Sequence, residues 1–314
     1  MKITLDISKL VEEGKLTREE ADKLTALAAH DTGSLGINIL IGFGVVAIAA
    51  GAVALVPTPL TAVSLGLALF AAGCAVVLNR VQQWILLGQI CLVIGALMFG
   101  GGVIAYGAGS LASMLIVTGA FALAAIAARS SLLMALAVLA ASACLGARTG
   151  YDNAVYSLAI FEPTLTVVLF SALALIAYQA SQRLPADYER LAITAARTSL
   201  LLINFGFWIG SLWGDPLMLL RSMNAKDASL DKTVIPATVF SILWAVVLLG
   251  AGIWAVQVNR RWLVNLVALF AGIHFYTQWF ERLGATPLSV LLGGVVMLAS
   301  AFALWMFNRR VLDA

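Results

Sequence analysis

The chain has 314 residues, of which 62% are hydrophobic and 11% are charged, and its mean hydropathy is +0.99. Soluble domains are about 45–50% apolar and about 25% charged, so the composition excludes an ordinary soluble protein. Apolar stretches of roughly 18–25 residues recur along the chain, each long enough to cross about 30 Å of hydrocarbon. The composition therefore predicts an all-α polytopic transmembrane helix bundle embedded in a lipid bilayer.

Residues 1–33 precede the first apolar stretch and carry charges of both signs, unlike a cleavable signal peptide. Gly14 suits the C-terminal cap of one short helix, and Thr17 with Glu20 forms a T-x-x-E capping box for a second. The segment predicts a cytoplasmic helical pair. This pair either closes one end of the bundle, or it docks a cytoplasmic protein partner or a second copy of the chain.

Ten apolar stretches follow, and they predict ten membrane spans connected by turns that alternate between uncharged and basic. With the N-terminus inside, 14 of the 19 Lys and Arg residues lie on the inner side and 5 on the outer side. Because basic residues prefer the cytoplasmic side, we expect both termini in the cytoplasm. The spans are placed at 34–56, 58–78, 84–106, 110–128, 131–147, 157–180, 192–213, 235–256, 262–281 and 286–307, and residues 308–314 form a tail.

The one long outer loop is predicted at residues 214–234. Asp215 followed by Pro216 is typical of a helix start, so we expect a short helix there on the outer membrane surface. The alternative is an ordered loop without a helix.

Three segments resemble a family of uncharacterised bacterial membrane proteins, classed as a domain of unknown function. They are VEEGKLTREEADKL (11–24), LVIGALMFGGGVIAYGAG (92–109) with IAARSSLLMALAVLA (126–140), and the terminal FNRR (307–310). The resemblance implies a multi-pass protein of the bacterial inner membrane, with a short N-terminal helical pair before Gly-, Ala- and Leu-rich spans. It implies no activity, because none is assigned to the family.

A polar stripe marks the ninth predicted span. Gln278 and Glu281 fall within about 40° of His274 around a helix, so the three residues lie on one face. Ionisable groups at membrane depth usually face the bundle interior or a cavity, which predicts an outward polar path. The alternative is that His274 bonds to a neighbouring helix while Glu281 marks the headgroup boundary. Glu162 either complements the N-terminus of the sixth span or joins Glu281 in an outer carboxylate pair.

The glycine run Gly100, Gly101 and Gly102 is the candidate helix break in the third span. The plainer interpretation is close packing against small residues such as Ala47 and Gly51. Four amides in the spans are expected to bond between helices: Asn38, Gln89, Asn204 and Asn265.

Other functional classes find little support in the sequence. The enzyme signatures that we sought are missing, two histidines cannot build a multi-histidine metal site, and no extended basic patch indicates nucleic-acid binding. We therefore predict no enzyme, no cofactor, no metal site and no nucleic-acid partner.

Two functional hypotheses follow from these patterns. Ten spans divide into two halves of five, 34–147 and 157–307, whose inverted arrangement is typical of secondary transporters of small solutes. The alternative is a non-transporting scaffold or regulator that binds a cytoplasmic partner through residues 1–33.

Overall fold

The computed structural model describes residues 10–11, 14, 16–79, 84–152, 155–217 and 234–312. Within these residues, the elements in chain order are helices and one two-stranded hairpin. They are α1 (Arg18–Leu55), α2 (Pro59–Leu78), α3 (Ile85–Tyr106), α4 (Leu111–Ala128), α5 (Ser131–Cys144), β1 (Ala147–Asp152), β2 (Val155–Ile160), α6 (Pro163–Ser181), α7 (Ala186–Trp213), α8 (Ala237–Gln257), α9 (Arg261–Leu283) and α10 (Pro287–Leu312).

Seven of the described helices are long and apolar enough to cross a membrane: α2, α3, α4, α6, α7, α8 and α9. Shorter apolar stretches lie at Leu40–Leu55 in α1, at Ser131–Cys144 in α5 and at Pro287–Ala303 in α10. A helical membrane bundle is thereby confirmed, and each predicted span overlaps one helix. The count of ten complete spans stays a prediction.

The sixth predicted span begins too early. Residues 157–160 belong to β2, which pairs antiparallel with β1 from Ala147↔Ile160 to Asp152↔Val155, and α6 starts only at Pro163. A short apolar run suits a strand as well as a helix, so periodicity does not separate the two. The hairpin is thus an addition to the predicted all-α class.

Helix α1 crosses the predicted boundary between residues 33 and 34 without interruption. Its start has the predicted capping box: the Thr17 N–H donates to Glu20 Oε2 at 3.0 Å, and the Glu20 N–H donates to Thr17 Oγ1 at 3.3 Å. The Thr17 backbone N–H, and then the Thr17 hydroxyl, which donates to Glu20 Oε2 at 2.8 Å, lower the pKa of the Glu20 carboxyl below its ordinary value. Gly14 adopts the left-handed conformation expected of a helix C-cap, with φ at 66°. Most of the first predicted N-terminal helix, and the side chains of His30 and Asn38, lie outside the described residues.

The chain forms two compact units, residues 1–133 and 134–314. This division differs from the predicted halves 34–147 and 157–307, because α5 falls almost entirely in the second unit. The reason is its packing: Val138 belongs to the buried cluster that α6, α7, α8 and α9 also build, and Met134 and Ala141 pack against it.

In the first unit, α2 and α3 pack along a seam of small residues, which we call the glycine seam. A Cβ atom on Gly66 would lie 2.8 Å from the Gly95 carbonyl oxygen, and one on Gly95 would lie 2.7 Å from the Gly66 oxygen. The same holds for Gly73, where a Cβ would lie 2.6 Å from the Gly88 oxygen. Only glycine lets the two backbones approach this closely.

Helix α3 runs unbroken through the candidate break at Gly100, Gly101 and Gly102. A Cβ on Gly100 would lie 2.7 Å from Phe121 Cζ of α4, and one on Gly102 would lie 2.8 Å from the Pro59 oxygen of α2. Gly101 meets nothing within 4 Å. In this structure Gly100 and Gly102 therefore allow close packing.

The partners of this packing differ from those expected. Ala47 and Gly51 of α1 are both exposed, and a Cβ on Gly51 would have open space around it. The glycine run instead packs against α2 and α4.

Candidate functional site

His274 lies near the middle of α9, about 20 Å along the helix from Arg261 and about 14 Å from Leu283. Its imidazole meets the ring of Trp244 on α8, with centroids 4.8 Å apart and planes at 74°. Trp244 is fully buried, so this contact faces the bundle interior. The ring of His274 thus takes part in helix packing through an aromatic contact.

A hydrogen bond extends this contact to a third helix. The Trp244 indole N–H donates to Asn204 Oδ1 of α7 at 3.0 Å, and Asn204 Nδ2 donates to the Leu200 carbonyl at 2.8 Å. Asn204 is therefore an interhelical link, as predicted for amides in the spans. We call Asn204, Trp244 and His274 the polar trio.

The other predicted amides have different surroundings. Gln89 and Asn265 are exposed on α3 and α9. Asn204, by contrast, is joined to a neighbouring helix by its bond with Trp244.

Aromatic rings surround the polar trio. Phe270 lies 6.5 Å from Trp244 and 5.8 Å from Phe205, and Phe205 lies 6.2 Å from Trp208, all measured between ring centroids. Trp208 follows Asn204 by one helical turn, so both lie on the same face of α7. The rings and the trio line one interior between α7, α8 and α9.

Two nitrogen atoms of this interior are buried without a hydrogen-bond partner in the described structure. They are Nδ1 of His274 and Nε1 of Trp208. An unpaired polar group costs about 1–3 kcal/mol when buried, so such atoms are uncommon and often mark a functional position. One is the N–H donor of an indole, and the other is an imidazole nitrogen that accepts or donates according to its tautomer.

The other residues of the predicted polar path lie farther along α9. Gln278 is half-buried, and Glu281 is exposed. The rings of Tyr276 and Trp279 make tilted contacts with Phe280 and Phe275, with centroids 4.5 Å and 5.0 Å apart. Exposure thus increases from His274 toward the end of the helix.

Glu162 lies in a different environment from Glu281. It is 4% exposed and occupies the N-cap position of α6, but its side chain forms no capping bond there. The cap is supplied by Asp215 instead, whose Oδ2 accepts the N–H of Thr164 at 2.8 Å. Burial of one carboxylate and exposure of the other give no support to an outer carboxylate pair.

Asp215 was interpreted from sequence as a helix start, and this interpretation is wrong for the residues that directly follow it. Residues 216 and 217 are not helical, and Leu217 has a φ of 50°. Asp215 is fully buried, accepts the Leu217 N–H at 2.7 Å, and exchanges backbone bonds with Ile235. Residues 218–233 of the predicted outer loop lie outside the described residues.

Trp208 and Trp244 were missed by sequence reasoning because a tryptophan within an apolar span carries no pattern that separates the interior from the lipid face. One signal was present. Asn204 and Trp208 are spaced by four residues, which places an amide and an indole on one helix face.

No family model, curated protein or solved structure matches the chain. The class of the protein therefore follows from the structure itself. Seven described helices are long and apolar enough to cross a membrane, and three of them enclose the polar trio. The chain is a multi-pass integral membrane protein.

Proposed function

We propose that the protein is a permease-like transporter of a small uncharged solute, and that the solute passes the polar trio of the second unit. The single observation that carries the proposal is the pair of buried nitrogens, His274 Nδ1 and Trp208 Nε1, left without partners inside a membrane-spanning bundle. A solute with one acceptor and one donor group would satisfy both atoms.

The surroundings support an uncharged solute. The rings around the trio, Phe205, Trp208 and Phe270, carry no formal charge. A charged solute would lose its hydration there without gaining an opposite charge. Aromatic walls with a few polar atoms are typical of sites for small organic molecules.

The route outward follows α9. Gln278 and the exposed Glu281 continue the stripe from His274 toward the helix end at Leu283. In the proposed topology this end is outside, both termini are cytoplasmic, ten spans cross the membrane and the membrane is a bacterial inner membrane. The resemblance of residues 11–24, 92–109, 126–140 and 307–310 to an uncharacterised bacterial family stays a prediction.

The proposal is tested by solute entry into proteoliposomes. Purified protein is reconstituted into liposomes, and these are mixed rapidly with glycerol, urea, a neutral amino acid or a small sugar. Solute entry is followed by stopped-flow light scattering. We expect at least one solute to enter faster than into protein-free liposomes, and His274→Ala with Asn204→Leu to remove the increase. An exposed substitution on the same helix, Leu269→Ala, is the matched control. Equal entry for wild type and empty liposomes across a broad panel would contradict the proposal.

A scaffold or regulator is the second candidate, and one observation favours it. Helix α1 joins the capped, charged N-terminal segment to an apolar stretch in one uninterrupted helix, and its first turns expose Arg18, Glu19 and Lys23. A protein bound there, or a second copy of the chain, would be coupled rigidly to the membrane. A photo-crosslinking residue at position 19, with position 40 as the control within the apolar part, tests this candidate. A discrete adduct from position 19 alone supports a scaffold.

A further inference from the structure

A groove of about 750 Å³ opens in the second unit, beside the turn between α8 and α9. Its walls come from the second half of α6, the middle of α7, the end of α8 and the start of α9. The polar trio does not line it. The groove is therefore separate from the proposed solute path.

Positive charge gathers at one end of the groove. Arg197, Arg260 and Arg261 line it, and none of the described lining residues is acidic. The Arg197 guanidinium lies over the Trp262 ring, with Cζ 4.8 Å from the centroid. This cation–π contact holds the guanidinium in one place while leaving its N–H donors directed along the plane of the group.

The position of two of these arginines points to an anion. Arg260 is the N-cap of α9 and Arg261 is its first residue. The N-terminus of a helix carries partial positive charge, which adds to the charge of the two guanidinium groups and favours an anion there. A phosphate between the guanidinium groups would accept charge-assisted bonds.

The remainder of the groove is apolar and runs toward the membrane centre. From Arg197 to Ile203 the wall along α7 extends about 9 Å, and Ala174 and Leu175 continue it along α6. Tyr178, Trp254 and Trp262 stand at the arginine end. Tyrosine and tryptophan favour the headgroup level of a bilayer, so the arginines lie at headgroup depth and the apolar wall at acyl-chain depth.

We propose that this groove is a binding site for an anionic phospholipid of the leaflet that contains the α8–α9 turn. The phosphate binds Arg197, Arg260 and Arg261, and one acyl chain lies along α6 and α7 to Ile203. Basic pockets between membrane helices select such headgroups by charge, whereas a zwitterionic lipid offers a compensating positive group. The site goes beyond the transport proposal and does not depend on it.

The test compares lipids on the purified full-length protein. Native mass spectrometry counts bound phosphatidylglycerol or phosphatidylcholine, and thermal unfolding in detergent measures the stabilisation by each lipid. We expect phosphatidylglycerol to bind at least 10-fold more tightly than phosphatidylcholine, and Arg197→Gln with Arg260→Gln to remove this preference. Arg183→Gln is the matched control, an exposed arginine at the same end of α6 and α7 that does not line the groove.

Two further arms separate the occupants. Ala174→Trp fills the space along the apolar wall and keeps all three arginines. It should therefore weaken phosphatidylglycerol binding, because only the acyl-chain contacts are lost. Inorganic phosphate at the same concentration should give less than a tenth of the lipid's stabilisation. If the double variant fails to fold, Arg260→Gln alone, an exposed position, carries the comparison. Equal binding of both lipids to wild type, equal loss in Arg183→Gln, or full stabilisation by phosphate would overturn the proposal.

Discussion

The two units pack their helices by opposite means. In the first unit, α2 and α3 approach until backbone meets backbone along the glycine seam. In the second unit, α7, α8 and α9 meet through large rings, with Trp244 and Phe270 almost completely buried between them. Without a hydrophobic force between helices in lipid, both solutions rely on close van der Waals contact. The seam leaves no room for a ligand, whereas the ring contacts of the second unit enclose polar atoms.

The largest expected effect would break the seam. Gly95→Leu places a side chain where a Cβ already lies 2.5 Å from the Phe70 backbone nitrogen, so α2 and α3 must separate. Overpacking costs about 1–3 kcal/mol where the neighbouring side chains can move aside. Here the neighbour is the backbone of α2, which cannot move aside in that way. We expect a loss of about 3 kcal/mol or more, measured by SDS-induced unfolding.

The control for this change lies in the same helix. Gly101→Leu meets open space and replaces a poor helix former, so its stability should equal or exceed that of the wild type. Equal stability of the Gly95 and Gly101 variants would show that the seam is not a tight contact.

The next effect concerns the buried cap in the second unit. Asp215→Ala removes the acceptor of the Thr164 and Leu217 N–H groups at a fully buried position, which should cost about 2 kcal/mol of unfolding free energy. Asp215→Asn keeps one acceptor oxygen and should lose less. Thermal unfolding in detergent measures both variants. A cap that contributes nothing would leave both variants at the wild-type midpoint.

A smaller effect tests the interior bond. A double-mutant cycle of Trp244→Phe and Asn204→Ala should give a coupling energy of about 0.6 kcal/mol, and up to about 1.7 kcal/mol, as between other membrane helices. Trp254 is exposed on the same helix, so Trp254→Phe with Asn204→Ala should give no coupling. Similar coupling in both cycles would rule out a specific Trp244–Asn204 bond.

The smallest effect lies at the start of α1. Bonds from Thr17 lower the pKa of the Glu20 carboxyl. The stabilisation that this carboxylate gives to the start of α1 is therefore fully present above the ordinary pKa of 4.5, and it is lost as the pH falls through the lowered pKa. Hydrogen exchange at residues 18–23, corrected for intrinsic rates, should therefore accelerate below pH 4.5. Glu20→Gln keeps a capping acceptor without a titrating group, so this acceleration should be absent. An unchanged pH response in Glu20→Gln would assign the effect to another group.

Local features were predictable from the sequence, and long-range ones were not. The capping box at Thr17 and Glu20 depends on residues three positions apart. Each predicted span overlaps a described helix, and seven of these helices are long and apolar enough to cross a membrane. The capping of α6 by Asp215 joins residues 51 positions apart, and no local pattern gives that pairing. The contact of His274 with Trp244 likewise depends on how α8 and α9 pack.

One long-range feature did leave a trace in the sequence. Gly66 and Gly73 of α2 are seven residues apart, as are Gly88, Gly95 and Gly102 of α3. A seven-residue spacing keeps residues on one helix face, so two such series in consecutive spans predict a seam. The glycine triplet was compatible with a helix break and with close packing, and its first and third members serve close packing.

The central claim is that the interior around His274 is reached by solutes from outside the membrane. The direct measurement replaces Cys74, Cys91 and Cys144, introduces His274→Cys, and exposes intact cells to a membrane-impermeant maleimide. We predict labelling at position 274, at a lower rate than at an exposed control, Glu281→Cys. Labelling of the control with none at 274 would place His274 in a dry packing contact and contradict the transport proposal.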